Sequence, residues 1–255
     1  MGLGTATNLV RQAALRLLDL FYPGSCGACR CFFGGAGSLC PQCRSALQTQ
    51  VAAPACLRCA APIAEKGTPC PRCQGKGLYP YRQILRLGVY EEPLRKLIHG
   101  MKYEHRWPLA EVLADRLLQK PEAQALLANS QCLVPVPLHF RRHFLRGYNQ
   151  AEVIARRFSQ RMHLRLLHPL KRVRDTQSQT QLHSREARLK NVHGAFALRK
   201  HNLIQGLHLV VVDDVMTSGA TLQAVGRSLL PAAPASLSAI ILAVVDPRGM
   251  GFEVV

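Results

Sequence analysis

The sequence lacks a long hydrophobic run. Nowhere in its 255 residues does an apolar stretch approach the ~18 residues that a membrane-spanning helix requires, so no transmembrane segment is expected. A convincing secretion signal is missing too, because the opening "MGLGTATNLVRQAALRLLDLF" interrupts its apolar positions with Arg11, Arg16 and Asp19. With neither feature, a cytoplasmic protein with reduced thiols is expected. Acids are scarce: 15 Asp and Glu stand against 33 Lys and Arg, a formal net charge of +18. The Walker pattern G-x4-G-K-[ST] is absent, which excludes a P-loop nucleotidase.

Cysteine, by contrast, is abundant, with ten in the chain. Eight form four CxxC pairs: "CGAC" (Cys26, Cys29), "CPQC" (Cys40, Cys43), "CLRC" (Cys56, Cys59) and "CPRC" (Cys70, Cys73). The second four repeat the first four at an offset of 30, each unit reading C-x2-C-x10-C-x2-C. A CxxC turn aims two thiolates at one ion, and two turns complete a tetrahedral four-sulfur zinc site. Pro41 and Pro71 lie inside the second turn of each unit, where a fixed φ favours a tight knuckle. Disulfides do not suit a chain without a secretion signal, and a redox CxxC stands alone rather than in four copies. Iron–sulfur ligation is the remaining alternative. About two zinc ions are expected, one per unit, although spacing alone leaves pairing across the units open. Cys31 and Cys132 fall outside the pattern.

The rest of the chain alternates strand and helix patterns. Leu9, Ala13, Leu17 and Leu20 recur at helical spacing, which predicts an amphipathic helix over 1–22, packed on its own protein or lying on a membrane surface. "ILRLGVY" reads as a strand, "EEPLRKLIHGMKY" and "WPLAEVLADRLLQ" as helices, "CLVPVPLH" as a short strand, and "AEVIARRFSQRM" as a helix with Ala151, Ile154 and Phe158 inward and Arg156, Arg157 and Arg161 outward. Residues 171–194 are polar, basic and aperiodic, as expected of a mobile, partly helical loop. "LHLVVVDD", "ATLQAVGRSLL" and "SLSAIILAVVD" complete a strand–helix–strand unit. Such alternation predicts an α/β fold with a parallel sheet covered on both faces. The window from His139 to Arg174 holds ten Lys and Arg against one acid, Glu152, a field that attracts phosphates of nucleotides, sugars or nucleic acids.

The informative stretch is "VVVDDVMTSGATL", residues 210–222. An apolar strand ends in Asp213 and Asp214, and a loop of small hydroxyl residues then enters a helix. In a parallel sheet, ligands bind at the carboxyl ends of strands. Backbone N–H groups of the loop and the helix N-terminus can hold an anion, with hydroxyls from Thr217, Ser218 and Thr221, while Gly219 admits a close backbone approach. Acids beside an anion cradle suit a sugar phosphate, whose hydroxyls the carboxylates accept. A plain capped turn would not need the two acids. A receiver-type acidic pocket places such a pair early in its domain, and only 41 residues follow Asp214.

This stretch resembles the phosphoribosyl-pyrophosphate motif of type I phosphoribosyltransferases. Together with "VPVPLHFRRHFLRGYNQAE", "RDTQSQTQLHSREARLKNVHGAF" and the four-cysteine sites, it makes the chain similar to the ComF/GntX family, from the cysteine-rich region to about residue 246. One departure is Met216-Thr217-Ser218, where the family commonly has a residue followed by two threonines; Ser218 keeps a hydroxyl. The resemblance implies a double zinc-ribbon module over 23–76, a type I phosphoribosyltransferase-like domain over 81–246 and a tail over 247–255. It implies that Asp213 and Asp214 are the catalytic and ribose-binding acids, and that Thr217, Ser218, Gly219, Ala220 and Thr221 form the 5′-phosphate loop. The turn after Val136-Pro137 would be the pyrophosphate loop, with Arg141, Arg142 and Arg146 on the pyrophosphate or nucleic-acid side, and 171–194 would replace the flexible catalytic loop. Magnesium would arrive with the pyrophosphate substrate.

Two readings of function follow. One is a phosphoribosyl-pyrophosphate-binding protein associated with DNA uptake or utilisation in natural competence, with single-stranded DNA and competence or DNA-handling proteins as partners. The other is a true phosphoribosyltransferase with an unidentified base or amine acceptor and no DNA role. The zinc module and the basic window favour the first; the intact acid pair and hydroxyl loop favour the second.

Overall fold

The computed structural model describes residues 24–34, 38–175, 185–199 and 203–246, without the side chains of Arg142, His143, Leu145, Arg185 and Glu186. The expected helix over 1–22 and tail over 247–255 lie outside the described residues. The elements run α1 (Pro41–Ala52), β1 (Ile84–Val89), α2 (Leu94–Tyr103), α3 (Pro108–Leu118), α4 (Pro121–Ala128), β2 (Cys132–Pro135), α5 (Phe140–Arg146) and α6 (Gln150–Met162). They continue as β3 (Arg165–Leu166), β4 (Leu170–Arg172), α7 (Arg185–Val192), β5 (Phe196–Leu198), β6 (His208–Met216), α8 (Ala220–Leu229) and β7 (Ser236–Val244). No helix among the described residues is long and apolar enough to cross a membrane.

Strands β1, β7, β6, β2 and β3 form one sheet in that order, and each pairing is parallel. Successive side chains of a strand face opposite sides. Val210, Val212, Ile240 and Leu242 therefore pack with α2, α3 and α6, while Leu209, Val211, Ala239 and Ile241 pack with α8. Both faces are covered, which explains why these strands read as unbroken apolar runs. The short elements α4, α5 and β3 were not expected from the pattern. Residues 171–194, expected as a mobile, partly helical loop, hold the end of β4 and all of α7, and 176–184 lie outside the described residues.

The cysteine repeat is visible in the backbone. Ser25 bridges Phe32 as Ala55 bridges Pro62. Cys26 N–H donates to the Cys31 carbonyl at 2.8 Å as Cys56 N–H does to Ala61 at 2.9 Å. Arg30 and Ala60 both turn left-handed, at φ 63° and 60°. The sulfurs gather within each unit: Cys26, Cys29, Cys40 and Cys43 in one group, Cys56, Cys59, Cys70 and Cys73 in the other, all within 4.8 Å of one another. Four sulfurs about 2.3 Å from a tetrahedral zinc lie about 3.8 Å apart. The structure gives 3.7 Å for Cys29–Cys40 and Cys56–Cys73 and 3.6 Å for Cys59–Cys70, so the donor sets fit zinc. Burial works against the Cys26 thiolate but is outweighed by the N–H groups of Cys40, Cys29 and Ala28, which bring it down to about 6. Burial raises the Cys43 thiol of the same group instead. A cation removes that conflict by stabilising all four thiolates together.

The first unit does not stand apart from the sheet. Cys26, Ala28, Leu39, Cys40 and Leu47 belong to the same buried cluster as Leu87, Leu97, Met101 and Leu113. Polar ties reinforce it: Arg106 Nη1 donates to the Gly27 carbonyl at 3.0 Å, and Lys120 Nζ to the Val51 carbonyl at 2.8 Å. Cys40 also caps α1, its sulfur accepting from Cys43 N–H at 3.5 Å. Two consequences are measurable. Protein purified without added metal should carry about two zinc ions per chain by elemental analysis; iron, or no metal, would overturn the assignment. Cys26→Ser should lower the melting temperature of the whole protein, whereas independent units would give a separate early transition in calorimetry.

Candidate functional site

The site begins where β2 leaves β6. The ladder between these strands ends at Pro135–Val212, closed by Val136 N–H donating to the Val212 carbonyl at 2.9 Å. On its other side, β6 stays paired with β7 through Asp213–Ile241, Val215–Ala243 and Met216–Val244. Asp213 and Asp214 were expected at the tip of their strand. They lie inside it, on a stretch paired along one edge only, with the other edge open at the end of β2. The chain runs from β2 outward to β3 and from β6 outward to β7 in the opposite direction. The opening is therefore the switch point at which parallel sheets bind ligands.

Each acid also folds back on the backbone. Asp214 N–H donates to Asp213 Oδ1 at 2.9 Å, and Val215 N–H to Asp214 Oδ1 at 2.5 Å. Lys102, in the last turn of α2, places Nζ 3.0 Å from Asp214 Oδ2, with both side chains mostly buried. Burial raises the Asp213 carboxyl, and the Asp214 charge raises it further; the Asp214 amide, Lys102 and Arg172 pull the other way, and it settles at about 7. A carboxyl that titrates near neutrality accepts a hydrogen bond in one state and donates in the other.

Beyond Met216, the predicted loop residues Thr217, Ser218, Gly219, Ala220 and Thr221 pass directly into α8. Gly219 is the N-cap, at φ 84°, and supplies no side-chain cap. Ser218 Oγ accepts only a long 3.4 Å bond from Ala220 N–H. The first turn of α8 thus presents backbone N–H groups and no acidic side chain, an arrangement that attracts an anion. A Cβ on Gly219 would lie 3.0 Å from both methyl groups of Leu78, so both the left-handed turn and the close packing demand glycine.

The remaining expected residues divide. Val136-Pro137 sits at the carboxyl end of β2, beside the opening. Arg146 stacks its guanidinium 5.2 Å from the centre of the Tyr103 ring, next to Lys102, and so reaches the same region. Arg141 Nη1 lies 3.5 Å from Asp175 Oδ2, whose other oxygen is 3.4 Å from the buried His139. The Arg142 side chain lies outside the described residues. Arg157, expected to point outward, is instead half-buried and doubly bonded to Asp115 at 2.8 and 2.6 Å, because the packing of α6 on α3 brings that carboxylate under it. Sequence reasoning also missed Lys102, Tyr103 and Arg72, whose Nη2 donates to the Thr217 carbonyl at 2.7 Å. The visible signal around Lys102 was an apolar stripe on α2; its partner is fixed only by the fold.

The acid pair has a stability signature. Asp213 binds its proton more tightly when folded than when unfolded, where a carboxyl titrates near about 4. Its contribution is therefore greatest at low pH and is lost as pH rises from about 4 to about 7. Asp213→Asn should melt close to wild type near pH 4 and above it by at least about 2–4 °C at pH 8. Thermal unfolding at both values checks this; a difference that does not change with pH would contradict the burial argument.

Comparison with known proteins agrees with this architecture. The double zinc ribbon domain model matches residues 17–74, and the phosphoribosyl transferase domain model matches residues 108–250. The chain is 33% identical over 216 residues to "DNA utilization protein YhgH" of Salmonella typhimurium, covering 83% of this chain and 92% of that one. It is 29% identical over 196 residues to "Competence protein F" of Haemophilus influenzae, covering 75% and 83%. It is 26% identical over 160 residues to "Competence protein ComFC" of Bacillus subtilis, covering 62% and 58%. With a double zinc ribbon joined to a phosphoribosyltransferase domain, and with these relatives, the chain belongs to the ComF/GntX family.

Proposed function

We propose that this chain binds phosphoribosyl pyrophosphate, or a related sugar phosphate, at the β6–α8 turn, and that it serves DNA uptake or utilisation by handling single-stranded DNA in the cytoplasm. The observation that carries the first half is the one-sided strand: Asp213 and Asp214 face an open edge and lead into an uncapped helix N-terminus. In this reading the two carboxylates accept the ribose hydroxyls. N–H groups of residues 218–221 and the Ser218 and Thr221 hydroxyls hold the 5′-phosphate. The turn after Val136-Pro137, with Arg141, Arg142 and Arg146, faces the pyrophosphate. Magnesium, if bound with the pyrophosphate, would neutralise its charge.

The DNA half draws on the relatives' names and on the surface beside the site. Phe140 and Phe144 of α5 are 71% and 88% exposed, and Tyr103 is 54% exposed. Arg141 lies 6.0 Å from the Phe140 ring centre and Arg146 lies over Tyr103. Exposed aromatics interleaved with arginines suit single strands, whose bases stack while their phosphates meet the cations. Competence or DNA-handling proteins would be the cellular partners. The second reading, a true phosphoribosyltransferase with a base or amine acceptor and no DNA role, is favoured by one observation: Asp213 titrates near neutrality, as a general base must. Release of pyrophosphate with an acceptor from a base-and-amine panel would support it.

Two measurements test the main reading. Asp214→Asn should weaken phosphoribosyl pyrophosphate binding by about ten- to a hundredfold in calorimetry, the value of a charge-assisted hydrogen bond of about 1.5–3 kcal/mol. The Lys102 charge that this substitution releases offsets part of the loss, so Gly219→Val, which blocks the turn, is the companion variant and should abolish binding. Wild-type affinity in both would reduce the stretch to a plain strand-to-helix turn. For DNA, each phosphate contact adds about 0.7 to the log–log salt slope with single strands. Replacing Arg141 and Arg146 by alanine should flatten that slope by about one unit or more; an unchanged slope would move the DNA surface elsewhere.

A further inference from the structure

We infer that Arg72, held between two metal ligands of the second zinc ribbon, is a positioning residue for the anion cradle at the start of α8, so that zinc in that ribbon and sugar phosphate at the cradle bind cooperatively. The inference rests on the reading of the β6–α8 turn given above.

Arg72 is the third residue of "CPRC", between Cys70 and Cys73. Its backbone belongs to a knuckle fixed by hydrogen bonds from Gln74 N–H to the Cys70 carbonyl and from Lys76 N–H to the Cys73 carbonyl, both 2.8 Å. From there its Nη2 donates 2.7 Å to the carbonyl of Thr217, 145 residues away in sequence. That carbonyl belongs to the peptide joining Thr217 to Ser218. A trans peptide is planar, and its C=O and N–H point in opposite directions. Drawing the Thr217 oxygen toward the ribbon therefore turns the Ser218 N–H away from the ribbon, and the peptide can no longer swing its negative oxygen into the cradle. The exclusion matters as much as the donor, because a carbonyl facing a phosphate repels it.

Further contacts brace the same corner. Leu78, just past the ribbon, packs against Gly219, and its N–H donates to the Arg58 carbonyl at 3.2 Å. Tyr81 is buried, and its hydroxyl donates to the Leu222 carbonyl at 2.7 Å, inside the first turn of α8. Gly226 lies so close to Pro80 that an added Cβ would fall 2.5 Å from the proline Cδ. The second ribbon and its exit segment thus hold the loop and its helix from one side. The ribbon in turn owes its shape to the ion, since Cys56, Cys59, Cys70, Ala61, Ile63 and Cys73 form a small cluster of their own with few large side chains.

The test uses the full chain, ribose 5-phosphate as ligand, zinc content, and the Thr217 carbonyl 13C and Ser218 amide 15N resonances. Arg72→Ala should keep both zinc ions, shift both resonances in the ligand-free protein, and bind ribose 5-phosphate about tenfold more weakly. Arg72→Gln keeps a donor without the charge and should recover part of the affinity; Arg72→Lys keeps both and should recover more. Cys70→Ser should lose one zinc and the same affinity. By reciprocity, saturating ribose 5-phosphate should strengthen zinc retention against a chelator by the factor that zinc strengthens sugar-phosphate binding. Unshifted resonances in Arg72→Ala, or wild-type affinity with both zincs in place, would overturn the inference. Arg72→Gln no better than alanine would also overturn it, leaving only the attraction of a positive charge. If wild type does not bind ribose 5-phosphate, the reading of the turn fails, and the ligand-free resonances still decide whether Arg72 sets the peptide.

Discussion

Everything at this site depends on one hydrogen-bonding decision: β6 loses its β2 neighbour at Val212 but keeps β7 as far as Met216. A buried strand must satisfy its backbone groups on both edges. Where one neighbour departs, the free edge must find other partners or face a ligand. Val136 closes the ladder on one side of the break. Beyond it the sequence changes from valines to Asp213 and Asp214, whose side chains accept N–H groups of their own strand. The carboxylates thus do local backbone work, whatever they offer to a ligand in the proposed reading. This explains why polar residues begin at Asp213 although the strand itself continues.

The same economy joins the cysteine-rich segment to the sheet. A pair of metal knuckles has little apolar surface with which to fold. The first knuckle nonetheless places Cys26, Ala28, Leu39 and Cys40 in the cluster beneath α2 and α3. The second packs around its own cysteines and reaches the β6–α8 turn through Arg72, Leu78 and Tyr81. The two copies of one repeat therefore do different work. The first adds core; the second braces the turn that precedes α8. Divergence of role within an internal repeat is expected when only the ligand spacing must be kept.

Much of this was legible in the sequence, and the parts that were not share a cause. The four-cysteine groups follow from spacing, because a CxxC turn fixes its own geometry. β6, β7 and α8 follow from unbroken apolar runs and a helical stripe. The turn between them announces itself through a glycine and hydroxyls. Short elements were harder: β3 spans Arg165–Leu166 and exists only because β2 offers an edge. The pairings of charge were invisible. Lys102 with Asp214, Arg157 with Asp115 and Arg72 with the Thr217 carbonyl join residues far apart in the chain. Periodicity records which face of an element is apolar, not which charge another element will bring to it. A count of arginines between His139 and Arg174 accordingly overstated the free positive surface, since Arg157 is committed to Asp115 and Arg156 to Glu152.

Those hidden pairings also resolve the oddest feature of the motif, two adjacent acids beside the proposed cradle for anions. Two full negative charges a few ångströms from a phosphate would oppose its binding. The fold does not present two full charges. Lys102 sits against Asp214 in a mostly buried pair, and that pair is close to neutral as a unit. Asp213 titrates at about 7, so near neutrality it carries only part of a charge on average. The acceptor geometry of two carboxyl groups is kept while most of their repulsion is removed. Because the neutralising lysine comes from α2 rather than from the motif, the motif alone looks self-contradictory. Any account of anion affinity at this turn must therefore count the charges of Lys102, Asp213 and Asp214 together.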